Sequence, residues 1–162
     1  MEKIASFTIN HLLLEPGVYV SRVDSWHGVD LTTFDLRLTA PNREPVMDTA
    51  AVHAIEHLGA TFLRNDPEWA DRVAYFGPMG CRTGFYLVVF GDATPQDVLA
   101  PLRRLFAFVR DFSGDVPGAR PEECGNWHDS DLAQAQWWAR RYLEQTLEHI
   151  DEAHTTYPTR EP

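Results

Sequence analysis

The sequence predicts an α+β fold, an antiparallel β-sheet with helices packed on one face. Three observations lead there. Residues 31–39 alternate, with Phe34, Leu36 and Leu38 facing one way and Asp35 and Arg37 the other, as in a strand with one side on a core. Residues 48–64 and 94–109 instead repeat their apolar residues at helical spacing. A third helical stretch follows a loop near the C-terminus.

Taken in order, residues 4–9 and 17–24 read as short strands, the second opened by a turn at Gly17 and carrying Val18, Val20 and Val23. After the strand at 31–39, Pro41-Asn42-Arg43-Glu44-Pro45 breaks the pattern and predicts a loop. Asp48 is placed to N-cap a helix that runs to about Arg64, with Ala51, Val52, Ile55, Leu58 and Phe62 on its apolar side. Gly59 inside that helix costs about 1 kcal/mol against Ala, so a close packing contact is expected there. Residues 65–77 read as irregular, and Gly84 to Phe90 as an apolar strand. Thr94 caps a second helix with Pro95 at its first position; Val98, Leu102, Leu105, Phe106 and Val109 form its buried stripe. Residues 113–121 form a loop, and Ser130 caps a third helix over roughly 131–150, with Leu132, Ala135, Ala139, Tyr142, Leu143 and Ile150 inward. Residues 151–162, with two prolines and several charges, are expected to fray.

The 162 residues fit one domain, 1–162, and the 44% apolar content can fill a single core. A net charge of −10 argues against a nucleic-acid partner, which needs clustered Lys and Arg. The chain shows neither a signal peptide nor a membrane-length apolar run, so a cytoplasmic protein with no membrane partner is expected.

The chemistry starts from His53-Ala54-Ile55-Glu56-His57. Residues four apart on a helix share a face, so both imidazoles can reach one divalent ion, and Glu56 sits close enough to take a proton from a group bound there. The alternative is a helix with two surface histidines and a solvated Glu. Cys124, after a Pro-rich loop and before Gly125, is a candidate third ligand, which would leave one position of a catalytic metal open. A buried apolar cysteine is the plainer reading, although Glu122, Glu123, Gly125 and Asn126 beside it are not core residues. His128 is a rival ligand by its Cys-x₃-His spacing. The other cysteine, Cys81, lies between Gly80 and Gly84 and adjoins Arg82, a setting that can lower a thiol pKa and fit it to carry protons. A disulfide between the two, or an inert turn cysteine at 81, is the alternative.

These residues fall within a larger pattern that resembles the S-ribosylhomocysteine lyase (LuxS) family. The matching blocks occur in order along nearly the whole chain: Ser6-Phe7-Thr8-Ile9-Asn10-His11, Phe34-Asp35-Leu36-Arg37 with Pro41-Asn42, the His53–His57 motif with Arg64, Pro78-Met79-Gly80-Cys81-Arg82-Thr83-Gly84-Phe85, and Glu123-Cys124-Gly125-Asn126 with Asp129 and Leu132. The resemblance implies one divalent metal per subunit on His53, His57 and Cys124, Fe(II) with Zn(II) or Co(II) able to substitute. It implies proton transfer by Cys81 and Glu56, and substrate contacts from Ser6, His11, Arg37 and Arg64. The implied reaction moves the ribose carbonyl of S-ribosylhomocysteine and then eliminates homocysteine, leaving 4,5-dihydroxypentane-2,3-dione, the autoinducer-2 precursor. The implied assembly is a homodimer with the site at the subunit interface. Tyr75-Phe76-Gly77 departs from the family's usual Asp-Ile-Ser, which removes a carboxylate that would face an ammonium group and leaves an altered substrate open. Two other readings stand beside this one. The H-x-x-E-H order also occurs in metallopeptidases, and a metal- or sugar-binding module without turnover would keep the same fold.

Overall fold

The computed structural model describes residue 2 and residues 4–158. Four strands, β1 (Gly17–Trp26), β2 (Val29–Arg37), β3 (Val73–Pro78) and β4 (Gly84–Phe90), form one sheet in the order β1-β2-β4-β3. Every neighbouring pair is antiparallel. Three helices, α1 (Thr49–Asn65), α2 (Pro95–Asp111) and α3 (Leu132–Gln145), join the sheet in one apolar core.

The alternation in β2 divides the two faces. Phe34 stands opposite Val20 and Leu87, and Leu36 opposite Val18 and Phe85; these side chains meet the helices. Asp35, opposite Tyr19 and Tyr86, and Arg37, opposite Gly17 and Gly84, belong to the other face. Gly84 is required at that crossing, since a Cβ there would lie 2.1 Å from the Leu36 carbonyl oxygen.

The helices follow the expected spacing closely. Ala51, Val52, Ile55 and Leu58 are buried on α1. Gly59 makes the expected close contact: a Cβ there would come within 2.3 Å of the Phe76 ring, which stacks on Phe85 at 5.2 Å. Asp48 occupies the N-cap position of α1, but its side chain makes no cap bond. On α2, Thr94 and Asp97 form a reciprocal capping box ahead of Pro95.

Five expectations are corrected. Residues 4–9 are not a strand; Ala5–Phe7 is a 3₁₀ turn, and Asn10 Oδ1 accepts from the Leu12 N–H at 3.1 Å in a side-chain turn that competes with extended pairing. The region read as irregular contains β3, whose alternation is interrupted by a bulge between Val73 and Tyr75 and ends at Gly77-Pro78. The third helix is capped by Asp131, not Ser130: Asp131 Oδ1 accepts from the Gln134 N–H at 2.9 Å. It also stops at Gln145, and Arg103 Nε on α2 donates to the Leu147 carbonyl at 2.9 Å, satisfying an acceptor near the helix end. Residues 151–158, expected to fray, instead turn through Glu152–His154 and bring Tyr157 onto Tyr19, ring centroids 4.7 Å apart. Residues 159–162 of that stretch lie outside the described residues.

Candidate active site

The H-x-x-E-H spacing on α1 puts the two imidazoles edge to face, with centroids 4.5 Å apart. Cys124, carried in from the 113–131 loop region, places Sγ 3.4 Å from His53 Nε2. The donor atoms of His53, His57 and Cys124 all lie within 4.8 Å of one another. Three ligands around one tetrahedral ion would stand about 3.3–3.8 Å apart, so the cluster is near that size. His128, the rival ligand, is outside it and lies against Trp127 with centroids 3.6 Å apart.

Both rings are oriented from behind. His53 Nδ1 donates to the Asp129 carbonyl at 2.6 Å, and His57 Nδ1 to the Pro117 carbonyl at 2.7 Å. A carbonyl can only accept, so each Nδ1 carries the proton and each Nε2 keeps its lone pair for an ion. Gly118 makes the second contact possible. It has φ +72°, and a Cβ there would sit 2.9 Å from His57 Nδ1. Three soft or borderline donors with their tautomers fixed suit a divalent transition metal. The sequence does not announce the two carbonyls; Gly118, in the Pro-Gly of a loop, was the one visible hint.

Cys81 belongs to a second cavity, of about 480 Å³, on the outer face of the sheet, together with Ser6, His11, Arg37, Thr83 and Tyr157. Arg82 beside it has φ +59°, a left-handed turn that a non-glycine residue adopts only when its surroundings hold it. Here the Arg82 N–H donates to the Met79 carbonyl at 2.9 Å, and the Arg82 carbonyl accepts from the Met47 N–H at 3.1 Å. Arg37 Nη1 donates to Thr83 Oγ1 at 2.6 Å and lies 4.0 Å from Cys81 Sγ. With a lone pair of Thr83 taken by Arg37, its hydroxyl proton is free for Cys81 Sγ at 3.1 Å. Burial pushes the Cys81 thiol up; the hydrogen bonds at Thr83 and the Arg37 charge outweigh it, and the thiol lies below its ordinary value. Both cysteines are free thiols.

Glu56 is half-buried and lines a shallow groove with His53, Pro78, Met79, Arg82 and Asn126. The groove and the Cys81 cavity share Met79 among their lining residues. Within one chain, then, Ser6, His11, Arg37 and Cys81 are brought together in one cleft, and His53 and Glu56 in another. Arg64 is in neither; its Nη2 donates to the Ala74 carbonyl at 3.0 Å, next to Tyr75. Tyr75 is half exposed and folds its hydroxyl over Gly77, where a Cβ would lie 2.0 Å from it. Asp35 and Tyr157 also line the Cys81 cavity, and the bond between them joins residues 122 positions apart, which no local spacing in the sequence signals.

No helix among the described residues is long and apolar enough to cross a membrane. The family model for S-ribosylhomocysteinase (LuxS) matches residues 4–153. A relative named S-ribosylhomocysteine lyase from Clostridium acetobutylicum is 56% identical, over 98% of this chain and 99% of its own length. Proteins of the same name from Desulfotalea psychrophila and Borreliella burgdorferi are 54% and 49% identical, each over 98% of this chain and all of their own. With the His-His-Cys cluster, the second thiol and the sheet-and-helix architecture falling inside one match that spans the described elements up to residue 153, the chain belongs to the S-ribosylhomocysteinase (LuxS) family.

Proposed function

We propose that this protein is a lyase that cleaves the thioether of S-ribosylhomocysteine to homocysteine and 4,5-dihydroxypentane-2,3-dione. The observation that carries the reading is the combination of an oriented three-donor cluster with a second, acidified thiol in a chain 56% identical to a lyase of that name. A divalent ion held by His53 Nε2, His57 Nε2 and Cys124 Sγ would supply Lewis acidity toward a carbonyl oxygen. Fe(II) suits this donor set, and Zn(II) or Co(II) fits it too.

The chain's own residues have the proton work. Each carbonyl shift, from C1 to C2 and then to C3 of the open-chain sugar, removes a proton from the carbon beside the carbonyl and returns one to the former carbonyl carbon, with no net redox change. Cys81, held toward its thiolate by Thr83 and Arg37, is suited to take and return those protons. Glu56, on the groove beside His53, moves protons to and from the sugar oxygens. Loss of the C4 proton then expels homocysteine from C5 as a thiolate, which is protonated on release, and the C4–C5 enol left behind gains a proton at C5 and loses its hydroxyl proton to become the dione. Ser6, His11 and Arg37, as lining residues of the Cys81 cavity, hold the substrate; Arg64 acts at the Tyr75 wall.

The working unit in this reading is a homodimer of single-domain chains. Cys81 and Glu56 line different clefts of one chain, and the outer sheet face and N-terminal segment leave Ile4, Phe7, Leu12, Trp26 and Tyr75 more than half exposed. The free thiols fit the reducing cytoplasm. The dione product makes a role in autoinducer-2 supply part of the proposal. The test is anaerobic Fe(II)- or Co(II)-loaded protein given S-ribosylhomocysteine, with released thiol read by a thiol reagent. Stoichiometric thiol is the expected result, and its absence from metal-loaded protein overturns the reading.

A further inference from the structure

Asp35 is a carboxylate with only 2% exposure on the outer side of the sheet. Arg37 meets it with two nitrogens, Nε to Oδ1 at 3.0 Å and Nη2 to Oδ2 at 2.5 Å. Oδ2 also accepts from the Tyr157 hydroxyl at 2.9 Å. Tyr157 comes from the C-terminal tail and lies flat on Tyr19, with 8° between the ring planes. Stacking and coverage need only a phenyl ring, so the hydroxyl has a separate task. Burial, and after it the Asp35 charge, hold the Tyr157 phenol well above its ordinary value, which keeps it a donor.

Arg37 has one nitrogen left after meeting Asp35, and that nitrogen, Nη1, serves Thr83 and faces Cys81. We propose that Tyr157 is a positioning residue of the Cys81 cavity: its hydroxyl fixes Asp35, Asp35 fixes the Arg37 guanidinium, and Arg37 sets Thr83 against Cys81. The inference rests on the reading of Cys81 as a proton carrier. The charged and titratable groups around the cavity are His11 from the N-terminal segment, Glu44 from the loop before α1, Asp35 and Arg37 from β2, Tyr86 from β4 and Tyr157 itself. Without the hydroxyl, the Asp35–Arg37 pair loses a third anchor and can rotate. The contact from Arg37 through Thr83 to the sulfur then slackens, and the thiolate is less favoured.

The test compares metal-loaded wild type, Tyr157→Phe and Tyr19→Phe. Cys81 alkylation by iodoacetamide is followed against pH on its own peptide, and kcat and KM are measured on S-ribosylhomocysteine. Tyr157→Phe keeps the stacked ring and should raise the alkylation midpoint by about half a pH unit, or about threefold slower labelling below the midpoint. Its kcat should fall at least threefold, and Tyr19→Phe should leave the midpoint in place. An unchanged midpoint in Tyr157→Phe overturns the proposal, as does an equal shift in Tyr19→Phe, which would mean general tail packing. A rise in KM alone would make Tyr157 a substrate contact and also overturn it. Alkylation needs no substrate, so a shifted midpoint beside a wild type that releases no thiol would count against the lyase reading alone.

Discussion

At the scale of single residues, the two cysteines have opposite surroundings and should fail in opposite ways. Cys124 Sγ faces His53 Nε2 and accepts, at 3.5 Å, from the Asn126 N–H, surroundings that suit the ligand role proposed for it. Cys81 Sγ faces a hydroxyl and a guanidinium, surroundings that suit the proton exchange proposed for it. Cys81→Ala should therefore retain full metal content and lose about 10²–10⁴ in kcat, the usual worth of a positioned acid–base group. Cys124→Ala should lose the metal itself. Metal analysis beside turnover separates the two, and full occupancy in Cys124→Ala would disprove the ligand set. Gly118 gives a subtler case. Its φ of +72° and the 2.9 Å approach of a Cβ to His57 Nδ1 mean that Gly118→Ala must displace the loop that orients His57. Loss of such an outer partner typically weakens metal affinity by about 10–100-fold, so competition with a chelator should show a drop in that range while α1 stays folded.

At the scale of elements, what the sequence made legible was local. The 3.6-residue spacing of α1 and α2 and the alternation of β2 each encode burial within one element, and they appear in the structure close to their expected bounds. β3 was hidden because its bulge between Val73 and Tyr75 destroys the period that marks a strand, and only pairing with β4 reveals it. The histidine pair of the His53–His57–Cys124 cluster was legible for the same local reason, its two members being one helical turn apart. The carbonyls of Pro117 and Asp129, and the Tyr157–Asp35 bond, were not, because no spacing rule connects residues that meet only through the fold. Gly59 spans both cases: a helix glycine signals a neighbour without naming it, and the neighbour is Phe76 of β3. A methyl group at 59 would overlap that ring, so Gly59→Ala should destabilise the protein by about 1–3 kcal/mol despite the better helix propensity of Ala. Urea unfolding measures this, and Phe76→Leu in the same chain should recover part of the loss by vacating the space. A stabilised Gly59→Ala would show that α1 and β3 pack less tightly than the contact implies.

At the scale of the whole molecule, the sheet is covered by helices on one side and carries the Cys81 cavity on the other, while the His53–Glu56 groove opens elsewhere. If one chain's Cys81 works on substrate at the metal of a second chain, each site of a dimer needs Cys81 from one copy and Cys124 from the other. Two inactive variants then complement each other. Mixing Cys81→Ala and Cys124→Ala protein in equal amounts, with exchange of subunits, makes half of the dimers mixed. Each mixed dimer has one site with both cysteines intact and one with neither. Thiol release should return to about a quarter of the wild-type rate for closed two-fold dimers. If instead both cysteines of a site came from the same chain, every site in the mixture would lack one of them and the rate would stay at zero. Sedimentation of the mixture as dimers, with no recovery of activity, would thus refute the shared site while leaving dimerisation intact. Recovery that disappears when exchange is blocked by covalent cross-linking of each variant beforehand would tie the activity to the interface itself.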